Sequence, residues 1–381
     1  MEQLIEWWNA TTLGYGILMF TLISMALIQL FLDLWQYIRL SLWTDRQYPT
    51  HSSGISIVIC AKNEEKRLRN LIPILMEQDY PNFEVIIVDD TSWDDTLDTL
   101  QAYQVRYPNL HVVSLNEDIQ RMRGKKFALT MGIKGSQHDI VLLTDADCVP
   151  SGKDWITKMT APFGDEQVEI VLGASPLNKE KSWLNKVIRF DTSQIATSYL
   201  SAALRKMPYM GVGRNLAYRK EIFFRNSGFK SHLTLASGDD DLFINEVATK
   251  KNTHIVVDQD AFTTSDAKKT WKDWFLQKRR HLTTAPHYTL KTKFFLILAP
   301  LSFNLMWLSA ILSMVLHNAF LIASVVLLVR YTVHFATFRG SLKKLGQPDL
   351  LFTLPLLEAY QAAINPVLWI SNLLSKPRTW K

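Results

Sequence analysis

The chain has 381 residues, 48% of them hydrophobic, and a formal net charge of +6. That length holds a catalytic domain of ordinary size with segments to spare. The charge is mild and its basic excess lies beside apolar segments, as in 291–293 and 375–381, which fits anionic headgroups and not nucleic acid. The two cysteines, Cys60 and Cys148, sit in or beside apolar runs. They suit a reducing compartment and a packing role, not a disulfide or a metal site.

In chain order, the first feature is "LGYGILMFTLISMALIQLFLDLW" (13–35), uncharged until Asp33. It is long enough for a bilayer core, which takes about 20 apolar residues. The segment before it has no Lys or Arg, whereas a signal peptide opens on a basic region. A retained anchor over 1–38 is expected. Arg39, Arg46 and Lys62 follow it, so the positive-inside rule puts the N-terminus outside and residues 36–293 in the cytoplasm.

From about 54 to 265, aliphatic runs alternate with helical stretches. Strands are expected over 54–60, 83–90, 110–116 and 139–147, and helices over 64–78, 96–107 and 125–133. Asn63 is the expected N-cap of the first helix, and Thr91 or Ser92 that of the second. Such alternation predicts an α/β fold, a mainly parallel sheet with helices on both faces. Ligands of these sheets bind beyond the carboxyl ends of the strands.

Further on, 266–293 carries Trp271, Trp274 and Phe275 among basic residues, the pattern of a helix in the headgroup plane. No charge occurs between Lys293 and Arg330, and 294–316 with 319–338 reads as a helical pair turning at His317 and Asn318. The last apolar stretch, 350–374, is interrupted by Pro355, Glu358 and Pro366. One crossing there leaves the basic tail outside; a re-entrant or interfacial hairpin keeps it inside.

Acids collect at the strand ends. In "VLLTDADCVP", Asp145 and Asp147 can hold a hard divalent cation, whose remaining shell suits water and phosphate oxygens. Asp89 and Asp90 end another strand on the same edge, where a carboxylate can accept the N3–H of uracil. Lys125 opens a helix, a place that favours phosphate. Asp239, Asp240 and Asp241 precede an apolar helix, and Arg279 and Arg280 lie on "WFLQKRRHLTT". Singly, each has a structural explanation as a helix-end acid or a solvated basic face. Their order on one sheet edge is what points to a site. An oxidoreductase would show G-x-G-x-x-G where this chain has "CAKNEEKR".

Taken with "ISIVICAKNEE", "FEVIIVDDTSWDDT", "GKKFALTMG", "TDAD", "GVGRNLAYRKEIF", "GDDD" and "QKRRH", the chain from about 53 to 281 resembles the family 2 glycosyltransferases of GT-A fold. It is most similar in pattern to the membrane-embedded inverting ones: cellulose, chitin and hyaluronan synthases and ceramide glucosyltransferases. The resemblance implies a cytoplasmic GT-A catalytic domain over 51–265, inserted between the anchor and a C-terminal membrane region, 294–381. It implies that Ala61, Lys62, Asn63 and Glu64 border a nucleoside and that Asp90, with Asp89, contacts its base. Lys125 then lies near the donor diphosphate, Asp145 reaches the nucleotide, and Asp147 is the principal ligand of Mg²⁺ or Mn²⁺. Asp240, with Asp239 beside it, matches the general base. Gln277 and Arg280 match QxxRW, the arginine binding diphosphate. His281 replaces the tryptophan of that motif, and Thr130 an asparagine. The tryptophan stacks on acceptor sugar in processive synthases. Its loss ranks single transfer from a nucleotide-sugar, expected to be a UDP-sugar, to a membrane lipid or lipid-linked saccharide above polysaccharide synthesis. An inactive scaffold would tolerate loss of site acids; Asp145, Asp147, Asp240 and Arg280 are all present.

Overall fold

The computed structural model describes residues 2–44, 46, 48, 52–115, 124–235 and 237–375. Residue 116 of the expected third strand and the basic tail from 376 lie outside the described residues. The chain begins with α1 (Glu2–Leu32), a π-helical turn (Asp33–Tyr37) and α2 (Ile38–Leu42). Then come β1 (Ile55–Ala61), α3 (Glu65–Met76), β2 (Phe83–Asp89), α4 (Thr96–Arg106), β3 (Leu110–Ser114) and α5 (Lys125–Gly135). The middle holds β4 (Ile140–Leu143), β5 (Val149–Pro150), α6 (Trp155–Thr160), β6 (Ile170–Gly173), α7 (Trp183–Leu204), β7 (Leu216–Arg219) and α8 (Lys220–Arg225). After α9 (Asp241–Val247), β8 (Thr253–Val256) and β9 (Thr263–Thr264) come α10 (Trp271–His281), α11 (Leu290–His317), α12 (Phe320–Lys344) and α13 (Leu354–Leu374).

Seven strands form the main sheet in the order β3-β2-β1-β4-β7-β6-β8. Its first four strands are parallel, β7 runs against both its neighbours, and β8 is parallel to β6. All seven residues of β1 are buried, so the strand alternates between two cores. Ile55, Ile57 and Ile59 pack under Leu68, Leu71 and Leu75 of α3 on one face. Val58 and Cys60 pack with Ala128 and Leu129 of α5 on the other. α5 lies close because Gly132 has no side chain: a Cβ there would sit 2.5 Å from Val58.

Three local expectations are corrected. Asn63 does not cap α3; it adopts a left-handed φ of 56°, and Glu64 takes the cap position without a side-chain bond. Asp95, not Thr91 or Ser92, precedes α4, where Asp94 Oδ1 accepts from the Thr96 amide at 3.1 Å. The fourth strand ends at Leu143, short of the acids. Leu143 is paired with Leu216 at the end of the antiparallel ladder, and the Thr144 hydroxyl turns to donate to the Arg214 carbonyl.

Among the described residues, three helices are long and apolar enough to cross a membrane: Thr12–Leu42, Leu290–His317 and Phe320–Lys344. Asn318, left-handed at φ 53°, ends α11 and makes the expected turn. Small residues let the helices approach: Ala26 of α1 packs with Ala310 of α11 and Ala323 of α12. Residues 354–374 form one helix and no hairpin. Pro355 falls in its first turn, where a missing N–H breaks no helical bond. Glu358 is not a break but half of a buried pair. Both terminal nitrogens of Arg330 donate to it, at 2.6 and 2.7 Å, and one also reaches Gln29 at 3.2 Å. His334 Nδ1 lies 2.7 Å from Asp33 Oδ1. Charges cost heavily at such depth unless paired, and these join α12 to α13 and to the α1–α2 junction.

Glu358→Ala strands the Arg330 guanidinium among apolar helices. Breaking one side of a buried pair costs about 3–5 kcal/mol. The variant is expected to melt well below the parent in detergent, and Arg330→Met with Glu358→Leu to melt above Glu358→Ala.

Candidate functional site

β1 and β2 run in register to their ends, pairing Ala61 with Asp89. Their exit loops are then stitched together. The Asp90 amide donates to the Ala61 carbonyl at 2.8 Å, and the Trp93 amide to Asn63 Oδ1 at 2.9 Å. The Asn63 amide donates to Ser92 Oγ and the Glu64 amide to Thr96 Oγ1, both at 2.9 Å. Left-handed backbone at Asn63 and Thr91 makes these crossings possible. Asp89 turns into the protein, only 2% exposed, while Lys62 Nζ stands 4.0 Å from Asp90. Lys62 and Glu64 line the cavity beyond; the strand ends stand behind them.

Lys125 follows Gly124, which adopts φ 110°. Its ammonium lies 2.9 Å from Asp145 Oδ1 and 2.9 Å from Asp239 Oδ2. Burial alone lowers a lysine pKa, but these carboxylates outweigh it and hold Lys125 well above its ordinary value. One cation thus joins the acids after β4 to those before α9. Lys126 is equally committed, donating to the carbonyls of His232 at 2.6 Å and Leu235 at 3.1 Å. The two lysines of "GKK" fix the segment that leads into "GDDD" from both sides.

The three acids of that motif differ. Asp239 is buried and bound to Lys125; burial would raise its pKa, but the ammonium keeps it lowered. Asp241 is buried, its Oδ1 accepting from the Leu242 amide and its Oδ2 from Thr284 and Tyr288. Asp240 is the most open to the cavity. Its Oδ1 accepts from the Asp241 amide and its Oδ2 from the Gly213 amide, both at 2.7 Å. Crowding by protein, then the charges of Asp239 and Asp241, push Asp240 up to about 7.

Asp145, Asp147 and Cys148 bring ligand atoms within 4.8 Å of one another. Burial keeps the Cys148 thiol well above its ordinary pKa, and Sγ donates to Asp147 Oδ1 at 3.5 Å. The donor set is therefore two carboxylates, hard ligands suited to Mg²⁺ or Mn²⁺.

On α10 the basic run splits three ways. Lys278 pairs with Asp191 of α7 at 2.8 Å. Arg279 turns to α13, donating to Asn372 Oδ1 at 3.0 Å. Gln277, Arg280 and His281 line the cavity. The surrounding protein, then Arg280 and Lys278, push the His281 pKa down, so its imidazole is neutral. Trp274 is buried against α13, where it meets Tyr360, rather than lying free in a headgroup plane.

Lys62, Lys125, Asp145, Asp147, Asp240 and Arg280 face one cavity of about 1770 Å³, which continues past Phe303 of α11 and Trp369 of α13 to Arg330 and Glu358. Sequence reading missed Gly213, Arg214, Thr284 and Tyr288. "GVGRN" was part of the motif set, but nothing in it marks the Gly213 amide as a donor to Asp240.

Lys125→Met removes the cation shared by Asp145 and Asp239. Without it, burial raises the Asp239 carboxyl pKa above its unfolded one, so the destabilisation grows as pH rises through that range. The melting-temperature gap between parent and variant should be wider at pH 8 than at pH 5.

A family model described as Glycosyl transferase family 2 matches residues 56–225. Over 243 residues, 62% of this chain, the sequence is 26% identical to the probable glycosyltransferase YdaM of Bacillus subtilis (strain 168), covering 56% of that protein. Over 96 residues, 25% of this chain, it is 30% identical to a poly-beta-1,6-N-acetyl-D-glucosamine synthase of Staphylococcus epidermidis, covering 22% of it. The chain thus spans about half, or less, of the length of these curated relatives. Among solved structures, the mannosyltransferase PcManGT from Pyrobaculum calidifontis, in complex with GDP-Man and Mn²⁺, aligns at a TM-score of 0.58. That alignment covers 91% of this chain and 99% of the other at 17% identity, a likeness of fold. Residues 56–225 thus match the glycosyl transferase family 2 model, on a fold like that of this mannosyltransferase.

Proposed function

We propose that the chain transfers a sugar from a nucleotide-sugar, by inversion, to a hydroxyl of a membrane lipid or lipid-linked saccharide at the cytoplasmic membrane face. The observation that carries this reading is the single cavity. Its walls hold Asp145, Asp147, Asp240 and Arg280 at one end and side chains of α1, α11, α12 and α13 at the other. A donor entering from water and an acceptor entering from the bilayer meet in it. The fold neighbour bound to GDP-Man and Mn²⁺ supports a nucleotide-sugar and a divalent cation; a UDP-sugar is the donor we assign. The basic residues after the first span, Arg39, Arg46 and Lys62, support the cytoplasmic face.

In this mechanism, Lys62 and Glu64, with Ala61, Asn63, Asp89 and Asp90 behind them, form the nucleoside end, and Gln277 and Arg280 hold the diphosphate. Asp240 Oδ takes the proton of the acceptor hydroxyl as that oxygen attacks the anomeric carbon. The bond from that carbon to the diphosphate breaks on the opposite side, and Arg280 takes up charge on the leaving group. One displacement inverts the centre. A divalent cation held by Asp145 and Asp147 would add further neutralisation of the diphosphate. Neutral His281, in place of an indole, offers the acceptor no broad stacking face and supports single transfer.

A second reading is processive polysaccharide synthesis, favoured by the likeness to poly-beta-1,6-N-acetyl-D-glucosamine synthases. Both are tested by donor turnover. Protein in mild detergent is given UDP- and GDP-sugars with Mg²⁺ or Mn²⁺, with and without a lipid extract, beside Asp147→Ala. Release of nucleoside diphosphate that needs lipid, metal and Asp147 is expected. Equal release without lipid, giving oligomers that lengthen with time, would replace lipid transfer by the polymer reading.

Asp240 must be ionised to act. Its pKa near 7 therefore predicts that log kcat/KM climbs with unit slope below pH 7 and levels off above it. Asp240→Asn is expected to lose roughly 10²–10⁴-fold in kcat, the usual worth of a general base.

A further inference from the structure

Two hydroxyls outside the acidic motifs reach the site from the membrane side. Thr284 Oγ1 and Tyr288 Oη both donate to Asp241 Oδ2, at 2.6 and 2.8 Å. Donors and acceptor are all buried: Thr284 is 2% exposed, Tyr288 8% and Asp241 8%. The other oxygen of Asp241 accepts from the Leu242 amide at 2.8 Å. Three of the roughly four acceptor positions of Asp241 are thus taken, against two in Asp240.

What Asp241 can do is hold its neighbour. Its own amide donates to Asp240 Oδ1 at 2.7 Å, and Asp240 completes its grip through the Gly213 amide. A rotation of the Asp241 peptide would therefore move the Asp240 carboxylate. Thr284 and Tyr288 lie on the short connector between α10, which carries Arg280, and α11, which enters the membrane. The connector meets α9 a second time where the Thr289 amide donates to Asn245 Oδ1 at 3.3 Å. Tyr288 is also set by an edge contact with the ring of Tyr209.

We propose that Thr284 and Tyr288 are positioning residues for the general base: by clamping Asp241 they fix the start of α9, and so Asp240, against the diphosphate-binding helix and the first turn of the membrane span. The clamp also explains why three successive acids share one site without sharing one role. Lys125 occupies Asp239, the connector occupies Asp241, and Asp240 faces the cavity. This inference rests on Asp240 being the base.

The test uses the full chain in detergent with donor and lipid extract. Tyr288→Phe, Thr284→Val and their combination remove hydroxyls while keeping most of the packing; Thr284→Ser restores one. A misplaced catalytic group costs up to roughly a hundredfold. The double variant is expected to lose roughly ten- to a hundredfold in kcat, with donor KM within about twofold of the parent. Thr284→Ser should keep near-parental kcat, as a merely bulky packing role for the threonine would not predict. Asp240→Asn is assayed alongside. If it is inactive while the double variant turns over at the parental rate, the clamp is refuted and the base stands. If Asp240→Asn stays active, the base assignment fails and the inference with it. A loss carried by KM, with kcat unchanged, also overturns the positioning role. Should the double variant unfold, Tyr288→Phe alone, which removes a single oxygen, gives the same decision on kcat.

Discussion

The acidic centre depends on one ammonium. Asp145 follows β4, and Asp239 precedes α9, far along the chain; the Lys125 side chain lies 2.9 Å from each. Buried carboxylates repel one another and resist ionisation away from water. With the cation between them, Asp239 stays ionised, and the residual strain falls on Asp240, whose pKa is raised toward neutrality. A carboxylate poised there can accept a proton at physiological pH, which one in open water cannot do as well. The cation therefore serves both the cohesion of the site and the division of labour among its acids.

The membrane helices belong to the same construction. Arg330 bridges Glu358 and Gln29, and Asp33 meets His334, so polar groups on four helical segments close the inner end of the cavity. The catalytic domain is fastened to them by further pairs. Arg189 of α7 donates to Asp349 at 2.6 and 3.1 Å, and Lys278 of α10 pairs with Asp191. These contacts hold α10 between the sheet and α13. Arg280 is thereby kept in the wall of the cavity that the membrane helices also line.

The comparisons sharpen this picture without naming the acceptor. The family 2 match lies in residues 56–225, which hold most of the sheet. The fold likeness to a mannosyltransferase extends over 91% of the chain and so takes in helices that the family model leaves out. That outer part comprises α10, the connector to α11 and the membrane helices, which line the cavity beyond the acids.

Much was legible in the sequence because it depended on short-range pattern. Aliphatic runs of strand length, separated by helical periodicity, fixed a mainly parallel sheet, and long uncharged stretches fixed the membrane helices. Acids at strand ends marked the ligand edge, because that edge follows from the handed β-α-β path. Pattern did not reach the caps of α3 and α4, which depend on how two neighbouring loops bond to each other. It could not show that 354–374 is one helix, since Pro355 and Glu358 look like interruptions until the first turn and Arg330 accommodate them. Nor could it rank Asp239, Asp240 and Asp241. Their order in the chain is nearly uniform, whereas their roles follow from what stands opposite each one: Lys125, the Gly213 amide, and the hydroxyls of Thr284 and Tyr288. Sequence alone determined where the charges are. Only the tertiary structure decided which partners each of them meets, because a side chain's charge state and reach are set by groups distant in the chain.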